Sequence, residues 1–321
     1  MPTYAISVAP VFRLLLALLV GGCSVSLDLT PRLQPLVEET VEGDGPDKIL
    51  LIDLSGVLSD EVVALSLTTP PARVPLAARV REELHKAEKD DRIRGLIVRI
   101  NSPGGTITAS DIVYQEIKSF RDRKKVPVIA AIMDVGASGG YYAALAADKI
   151  LAHPTTVTGS IGVIMVTVNA QGLLEKIGVA TLPIKSGAFK DAGSPFRPMT
   201  AEERAIFQSV VDDLQARFVR LIVQSRHLPE ERVRAAADGR IYTADQALAL
   251  GLIDRIGYLE DAVAMAMEAA SLGEASVVMY RRPRDYRSNF YSTAPVADEG
   301  FAQVARLIGA GGPRFLYLWW P

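Results

Sequence analysis

The 321-residue chain predicts an α/β fold, a largely parallel sheet with helices on its faces, and three observations carry that prediction. Short apolar, β-branched runs alternate with amphipathic stretches along most of the chain. Two of those runs, Gly95 to Ile100 and Val126 to Ile132, end in glycine turns that lead into helix-prone sequence. Length and composition suffice for a large core: 49% of residues are hydrophobic, and mean hydropathy is +0.20.

Taken in order, Lys48 to Leu54 reads as a buried strand and Leu76 to Lys89 as an amphipathic helix. Gly95 to Ile100 is the next strand. It runs into Asn101-Ser102-Pro103-Gly104-Gly105 and then a helix from about Thr108 to Arg121. Val126 to Ile132 is the third strand, followed by Ala137-Ser138-Gly139-Gly140 and the helix-prone run Tyr142 to Ala147. A short strand ends at Ile150-Leu151-Ala152. Leu173 to Ile177 ends a short helix at Gly178, and Val179 to Ile184 reads as another strand. From Thr200 to Gln224 a long helix carries Ile206, Val210, Leu214, Phe218 and Leu221 at helical spacing, the pattern of a core stripe or a subunit contact. Ala244 to Leu250, stopped by Gly251, and Leu259 to Ala270 complete the helices.

The two glycine turns are also the chemical signal. In a parallel sheet, sites lie at the carboxyl ends of the strands, so both turns can face one cleft. A serine at the tip of a strand-to-helix turn, with unpaired N–H groups following it, has the placement of a nucleophile beside oxyanion donors. Ser138 is in that position, with the Gly105 and Gly139 amides as the oxyanion pair. The competing reading is structural: small residues at a tight strand-to-helix crossing, and an ordinary turn at Pro103-Gly104-Gly105.

A serine nucleophile needs a base. The three histidines are poor candidates. His85 lies in a charged helical stretch, and His227 stands at a helix end, where its charge suits the dipole. His153, at the end of a short strand, is the best of them. A lysine that loses water contacts deprotonates more readily and serves as a base. Lys190 stands in the loop Lys185-Ser186-Gly187-Ala188-Phe189-Lys190-Asp191, with small and turn residues around it. A surface ion pair with Asp191 is its alternative. Ser160, in Thr158-Gly159-Ser160-Ile161-Gly162-Val163, either orients such a lysine or only turns the chain into a strand.

These four segments, in this order and at this spacing, resemble the signal peptide peptidase A family, over roughly Asp47 to Ala270. The resemblance implies the Clp/crotonase superfamily fold, with repeated ββα units and a helical C-terminal part. It also implies a serine–lysine dyad: Ser138 as nucleophile, Lys190 as general base, Ser160 hydrogen-bonded to that lysine, and Gly105 and Gly139 as the oxyanion hole. No cofactor is implied. Substrates would be apolar peptides such as remnant signal peptides, cut by a homo-oligomeric ring. One copy of each motif matches the family's short form.

The ends of the chain lie outside that resemblance. Residues 1–22 hold one basic residue, Arg13, the apolar run Leu14 to Val20 and then Gly21-Gly22 before Cys23, the only cysteine. That run suits a secretory h-region and is too short to span a bilayer. It resembles a bacterial lipobox, which implies cleavage before Cys23 and lipid on it, and so a cell-envelope lipoprotein with its catalytic domain on the extracytoplasmic side. The expected organisation is a lipoprotein signal peptide at 1–22, a tether at 23–46, a peptidase domain at 47–275 and a C-terminal extension at 276–321 that ends in an aromatic tip.

Composition excludes other classes. Net charge is −2, from 35 basic and 37 acidic residues, which offers no footprint for nucleic acid. No Cys/His cluster supports a metal site. The alternatives to a peptidase are a crotonase-type acyl-CoA enzyme, which shares the glycine-turn oxyanion hole, and a non-catalytic assembly lipoprotein.

Overall fold

The computed structural model describes residues 34–59, 74–282 and 314–319. The signal segment 1–22 and Cys23 lie outside them. Twelve strands and eight helices are present among the described residues. The main sheet runs β1 (Val37–Glu42), β11 (Ala275–Arg281), β2 (Asp47–Ser55), β3 (Ile93–Ser102), β5 (Val128–Ala137), β6 (Lys149–Ala152) and β10 (Arg255–Ile256), with β7 (Val157–Gly159) on the far end of β5 and β9 (Ile241–Thr243) beside β7. From β11 through β2, β3, β5 and β6 to β10 every pairing is parallel. β1 and β9 pair antiparallel at the margins. The predicted parallel α/β sheet is therefore observed.

Side chains alternate across the sheet, as the two-residue period requires. Leu50, Ile52, Leu54, Leu96, Val98 and Ile100 face one core. Helices α1 (Leu76–Glu88) and α2 (Ile107–Lys124) supply Val80, Leu84, Val113, Ile117 and Phe120 to it. Ile49, Leu51, Ile97, Ile129 and Ala131 face the other, where α8 (Leu259–Ala269) lays Leu259, Ala262 and Ala266 over the strands. Continuous apolar runs in β2 and β3 reflect this burial on both faces.

A second, three-stranded sheet decides where the site lies. β4 (Gly104–Thr106), leaving the end of β3, pairs with β12 (Arg314–Leu318), and β12 pairs on its other side with β8 (Ile164–Val166), both antiparallel. β3, β4 and α2 thus form a ββα unit whose short strand turns away from the main sheet. α3 (Gly139–Ala144) and α4 (Gln171–Lys176) are short, and α5 (Ala201–Arg226), α6 (Glu230–Ala236), α7 (Ala244–Leu250) and α8 make up the helical C-terminal part. Among the described residues no helix is long and apolar enough to cross a membrane.

Three expectations are corrected. Val179 to Ile184 forms no strand: residues 178–200 hold neither helix nor strand, and Leu182 and Ile184 are 90% and 99% exposed. An apolar run without a neighbouring strand has nothing to bond its backbone. The helix expected from Tyr142 begins at Gly139, because the chain turns directly at Ser138. The stripe on α5 is only partly core, with Phe218 fully buried and Ile206 and Val210 41% and 37% exposed. The segments drawn at 23–46 and 276–321 also contribute to the body. β1 comes from the first, β11 runs into the second, and β12 lies wholly within the second.

Candidate active site

Ser138 ends β5 and opens α3 with φ 50° and ψ −112°, a conformation that residues with a Cβ rarely adopt. Such strain at a strand-to-helix turn aims a side chain away from both elements. Two backbone bonds hold the turn: Ser138 N–H donates to Gly159 O at 2.8 Å, and Tyr142 N–H donates to Ser138 O at 2.8 Å. Ser138 is fully buried, and its Oγ has no hydrogen-bond partner among the described residues. A hydroxyl left unpaired in the interior costs stability, and groups of this kind mark functional positions.

The first glycine turn is fastened to the second. Ser102 Oγ donates to Gly56 O at 2.6 Å and accepts from Gly104 N–H at 3.1 Å. Asn101 Oδ1 accepts from Val135 N–H at 3.2 Å, which joins the ends of β3 and β5. Both turns must be glycine. A Cβ on Gly105 would stand 2.0 Å from Leu58 O, and one on Gly139 would stand 2.3 Å from Ser110 Oγ and 3.1 Å from Gly104 Cα. The Gly139 contacts place it against the Asn101–Gly105 turn, so the two glycine turns lie side by side next to Ser138.

Ser160 joins them. β7 pairs with the end of β5 in the register Gly136↔Thr158 and Ala137↔Gly159, so Ser160 follows one step later, beside Ser138. It is buried with φ 47°, and its N–H donates to Arg240 O at 2.8 Å.

Lys190 is not brought in. It is exposed on the loop, and it is not bonded to Ser138 Oγ. The ion pair with Asp191 considered as its alternative is also absent, because Asp191 is taken by Lys185 at 2.5 Å and by Arg197 at 2.8 Å. Arg197 bonds Glu203 as well, and Glu203 accepts from Thr200 N–H at 2.9 Å while Thr200 Oγ1 accepts from Glu203 N–H, a capping box at the start of α5. Hydrogen bonds from Arg197 hold Asp191 well below the ordinary carboxylate range and lower Glu203 to about 2. The lysine loop is thus tied to α5, with Lys190 left to project. His153 contacts Thr155 Oγ1 at 2.9 Å and packs edge-on against Tyr258, and His227 is the left-handed cap of α5.

Residue spacing gave no sign of β12. Tyr317 is fully buried, its ring stacked on Tyr142 at 5.1 Å and packed against Phe218 at 4.8 Å, with its hydroxyl donating to Leu214 O at 2.9 Å. Only the aromatic composition of the last seven residues hinted at a packed end.

The profile of peptidase family S49 matches residues 120–273, and that of Clp protease matches residues 53–158. A protein of Enterococcus faecium, provisionally named signal peptide peptidase SppA, is 36% identical over 247 residues, covering 77% of this chain and 71% of that one. The chain belongs to peptidase family S49. A provisionally named protease of Synechocystis is 42% identical over 200 residues, 61% of this chain and 72% of that one. The chloroplastic serine protease SPPA of Arabidopsis thaliana is 36% identical over 229 residues, 71% of this chain and 33% of its own length. This S49 chain is accordingly a serine peptidase with a Clp/crotonase-like fold.

Proposed function

We propose that Ser138 is the nucleophile of this S49 peptidase, that Lys190 is its general base, and that the lysine comes from a second copy of the chain. The observation that carries the reading is Ser138 itself, strained, buried and unpaired between two glycine turns. Two further facts support delivery across subunits: Lys190 is exposed, and its loop carries Leu182, Ile184, Phe189 and Phe196 on the surface, apolar area that a neighbour would cover.

In the reaction, Ser138 Oγ attacks the scissile carbonyl while Lys190 Nζ takes the hydroxyl proton. The Gly105 and Gly139 amides stabilise the resulting oxyanion. Lys190 then gives the proton to the leaving amine as the C–N bond breaks, and a water activated by the same lysine hydrolyses the acyl-serine. Substrates are extended apolar peptides, remnant signal peptides by the resemblance and the relatives' names. The enzyme is a ring held to the cell envelope by lipid on Cys23, with catalysis on the extracytoplasmic side and no cofactor.

A fluorophosphonate probe should label Ser138, and Ser138→Ala and Lys190→Ala should each abolish peptide hydrolysis in a folded protein. Mixing the two inactive variants and letting subunits exchange should restore activity to roughly a quarter of the sites, since half the serines then meet an intact lysine. An assembled mixture with no recovery refutes delivery across subunits. Full activity in Lys190→Ala refutes the dyad.

A further inference from the structure

Ser138 keeps an unfavourable backbone conformation, and such a residue persists only where its surroundings over-determine it. The helix that follows cannot do this alone. α3 has six residues, fewer than an isolated helix needs, and its first two are glycines. It meets the serine through the bond from Tyr142 N–H to Ser138 O. That carbonyl and the Gly139 N–H belong to one planar peptide group, so holding the oxygen also sets the direction of the amide assigned to the oxyanion hole. Whatever fixes Tyr142 therefore fixes the turn and its donor.

Two phenol hydroxyls tie α3 to its surroundings. Tyr141 and Tyr142 are both buried. The Tyr141 hydroxyl donates to Leu252 O at 2.7 Å. The Tyr142 hydroxyl donates instead to Asp111 Oδ1 on α2 at 2.6 Å, and Arg217 Nη2 on α5 donates to the same oxygen at 2.6 Å. A bond to a carboxylate is shorter and stronger than one to a neutral acceptor. The Asp111 and Arg217 side chains are 35% and 52% exposed, and an ion pair so placed adds little stability. Its effect is to hold the carboxylate in place for the phenol. Burial and the bond to Asp111 push the Tyr142 hydroxyl well above the ordinary phenol range, so it keeps its proton and acts as a fixed donor rather than a proton carrier. The ring itself packs against Tyr114, Phe218 and Tyr317, contacts that a phenylalanine would keep. Packing explains the ring and leaves the hydroxyl to be explained.

We propose that Asp111 and Arg217 are positioning residues for the peptidase reaction, acting through the Tyr142 hydroxyl to set the Ser138 turn and the Gly139 amide. Three helices converge on this one bond: α3 brings the phenol, α2 the carboxylate and α5 the cation. The proposal rests on Ser138 being the nucleophile.

Tyr142→Phe tests it directly. The substitution removes the hydroxyl and keeps the ring, and it leaves Asp111 with Arg217 and solvent, so no buried group is orphaned. In the full chain it should lower kcat on a fluorogenic apolar peptide about tenfold with KM within about twofold. Second-order labelling of Ser138 by a fluorophosphonate should slow about tenfold as well, with Tm kept within about 3 °C. Asp111→Ala should match it. Asp111→Asn keeps an acceptor for the phenol, and Arg217→Ala keeps the acceptor but loses its anchor, so each should lose only about threefold. The double variant Tyr142→Phe/Asp111→Ala should be no slower than its slower parent, since both changes break one connection. A Tyr142→Phe enzyme that turns over and labels at the wild-type rate overturns the proposal whatever its Tm, because a hydroxyl that serves stability alone moves only Tm. Equal losses in Asp111→Asn and Asp111→Ala overturn it too, and an Arg217→Ala enzyme at the wild-type rate removes Arg217 from the assignment. Should Tyr142→Phe fail to fold, the two Asp111 variants decide. A folded wild type that is not labelled at Ser138 refutes the nucleophile and this proposal with it, whereas a labelled wild type with unaffected variants refutes this proposal alone.

Discussion

Gly139→Ala tests the oxyanion geometry with a single methyl group. The new Cβ would stand 2.3 Å from Ser110 Oγ, 3.0 Å from Tyr317 O and 3.1 Å from Gly104 Cα. Ordinary carbon contacts lie near 3.5 Å, so the first must open by about 1 Å. Ser110 is fully buried, and its Oγ donates to Thr106 O at 2.9 Å, so rotating it away breaks that bond. The other two contacts are to backbone and yield only if α3 separates from both β12 and the first glycine turn. Overpacking of this kind costs about 1–3 kcal/mol in stability. In a domain of this size that is roughly 2–10 °C in Tm. A displacement of about 1 Å at a catalytic amide costs about a hundredfold in rate. The assay is kcat/KM on a fluorogenic apolar peptide together with thermal unfolding. Adding Ser110→Ala should recover part of the Tm, because the shortest contact disappears. It should leave the rate low, because the backbone contacts remain. A Gly139→Ala enzyme that loses Tm as expected yet keeps kcat within about threefold would refute the oxyanion assignment while sparing the packing argument.

Other expectations concern the lysine loop and the anchor. Asp191 and Glu203 have folded-state pKa values below their ordinary ones, so the stability they lend is present above about pH 4.5 and lost as pH falls toward 2. Hydrogen exchange in 185–203 should therefore accelerate across that window before the main sheet opens, and simultaneous loss would refute it. Arg197→Ala removes the cation that joins Asp191 to Glu203. It should lower kcat about tenfold with KM nearly unchanged, since the base loses its positioning rather than the cleft its pockets. Cys23→Ala should release the protein from membranes or leave it uncleaved, as mass spectrometry of the N-terminal peptide reads directly. An unmodified Cys23 in the wild type would overturn the lipid anchor.

Legibility from sequence followed the range of the interaction. The Ser138 turn, the Asn101–Gly105 turn and most helix ends are written in adjacent residues, because glycine spacing, caps and apolar periods are local. Thr200 and Glu203 form the capping box that Thr-x-x-Glu announces. Val179 to Ile184 misled for the converse reason. β-branched residues announce a strand, but a strand also needs a neighbour, and the chain supplies none there. The placement of β12 was illegible because residues 314–318 carry no pattern naming Gly105 and Met165 as their partners. The ties of Asp191 to Lys185 and Arg197, which leave Lys190 unpaired among the described residues, likewise needed coordinates.

The pairing of β11 with β2 has a consequence for how the molecule is made. Ser276 Oγ reaches Asp47 O across 229 residues of sequence, and the strands run parallel in the interior of the sheet. β11 also provides the sole sheet partner of β1 among the described residues. Contacts this distant in sequence form late and slowly, since a long loop must close before any bond rewards it. During synthesis the edge of β2 stays open until nearly the whole chain has emerged, and an open parallel edge beside apolar faces is prone to aggregation. A nascent chain stalled before residue 275 should therefore bind a holding factor where the finished protein does not.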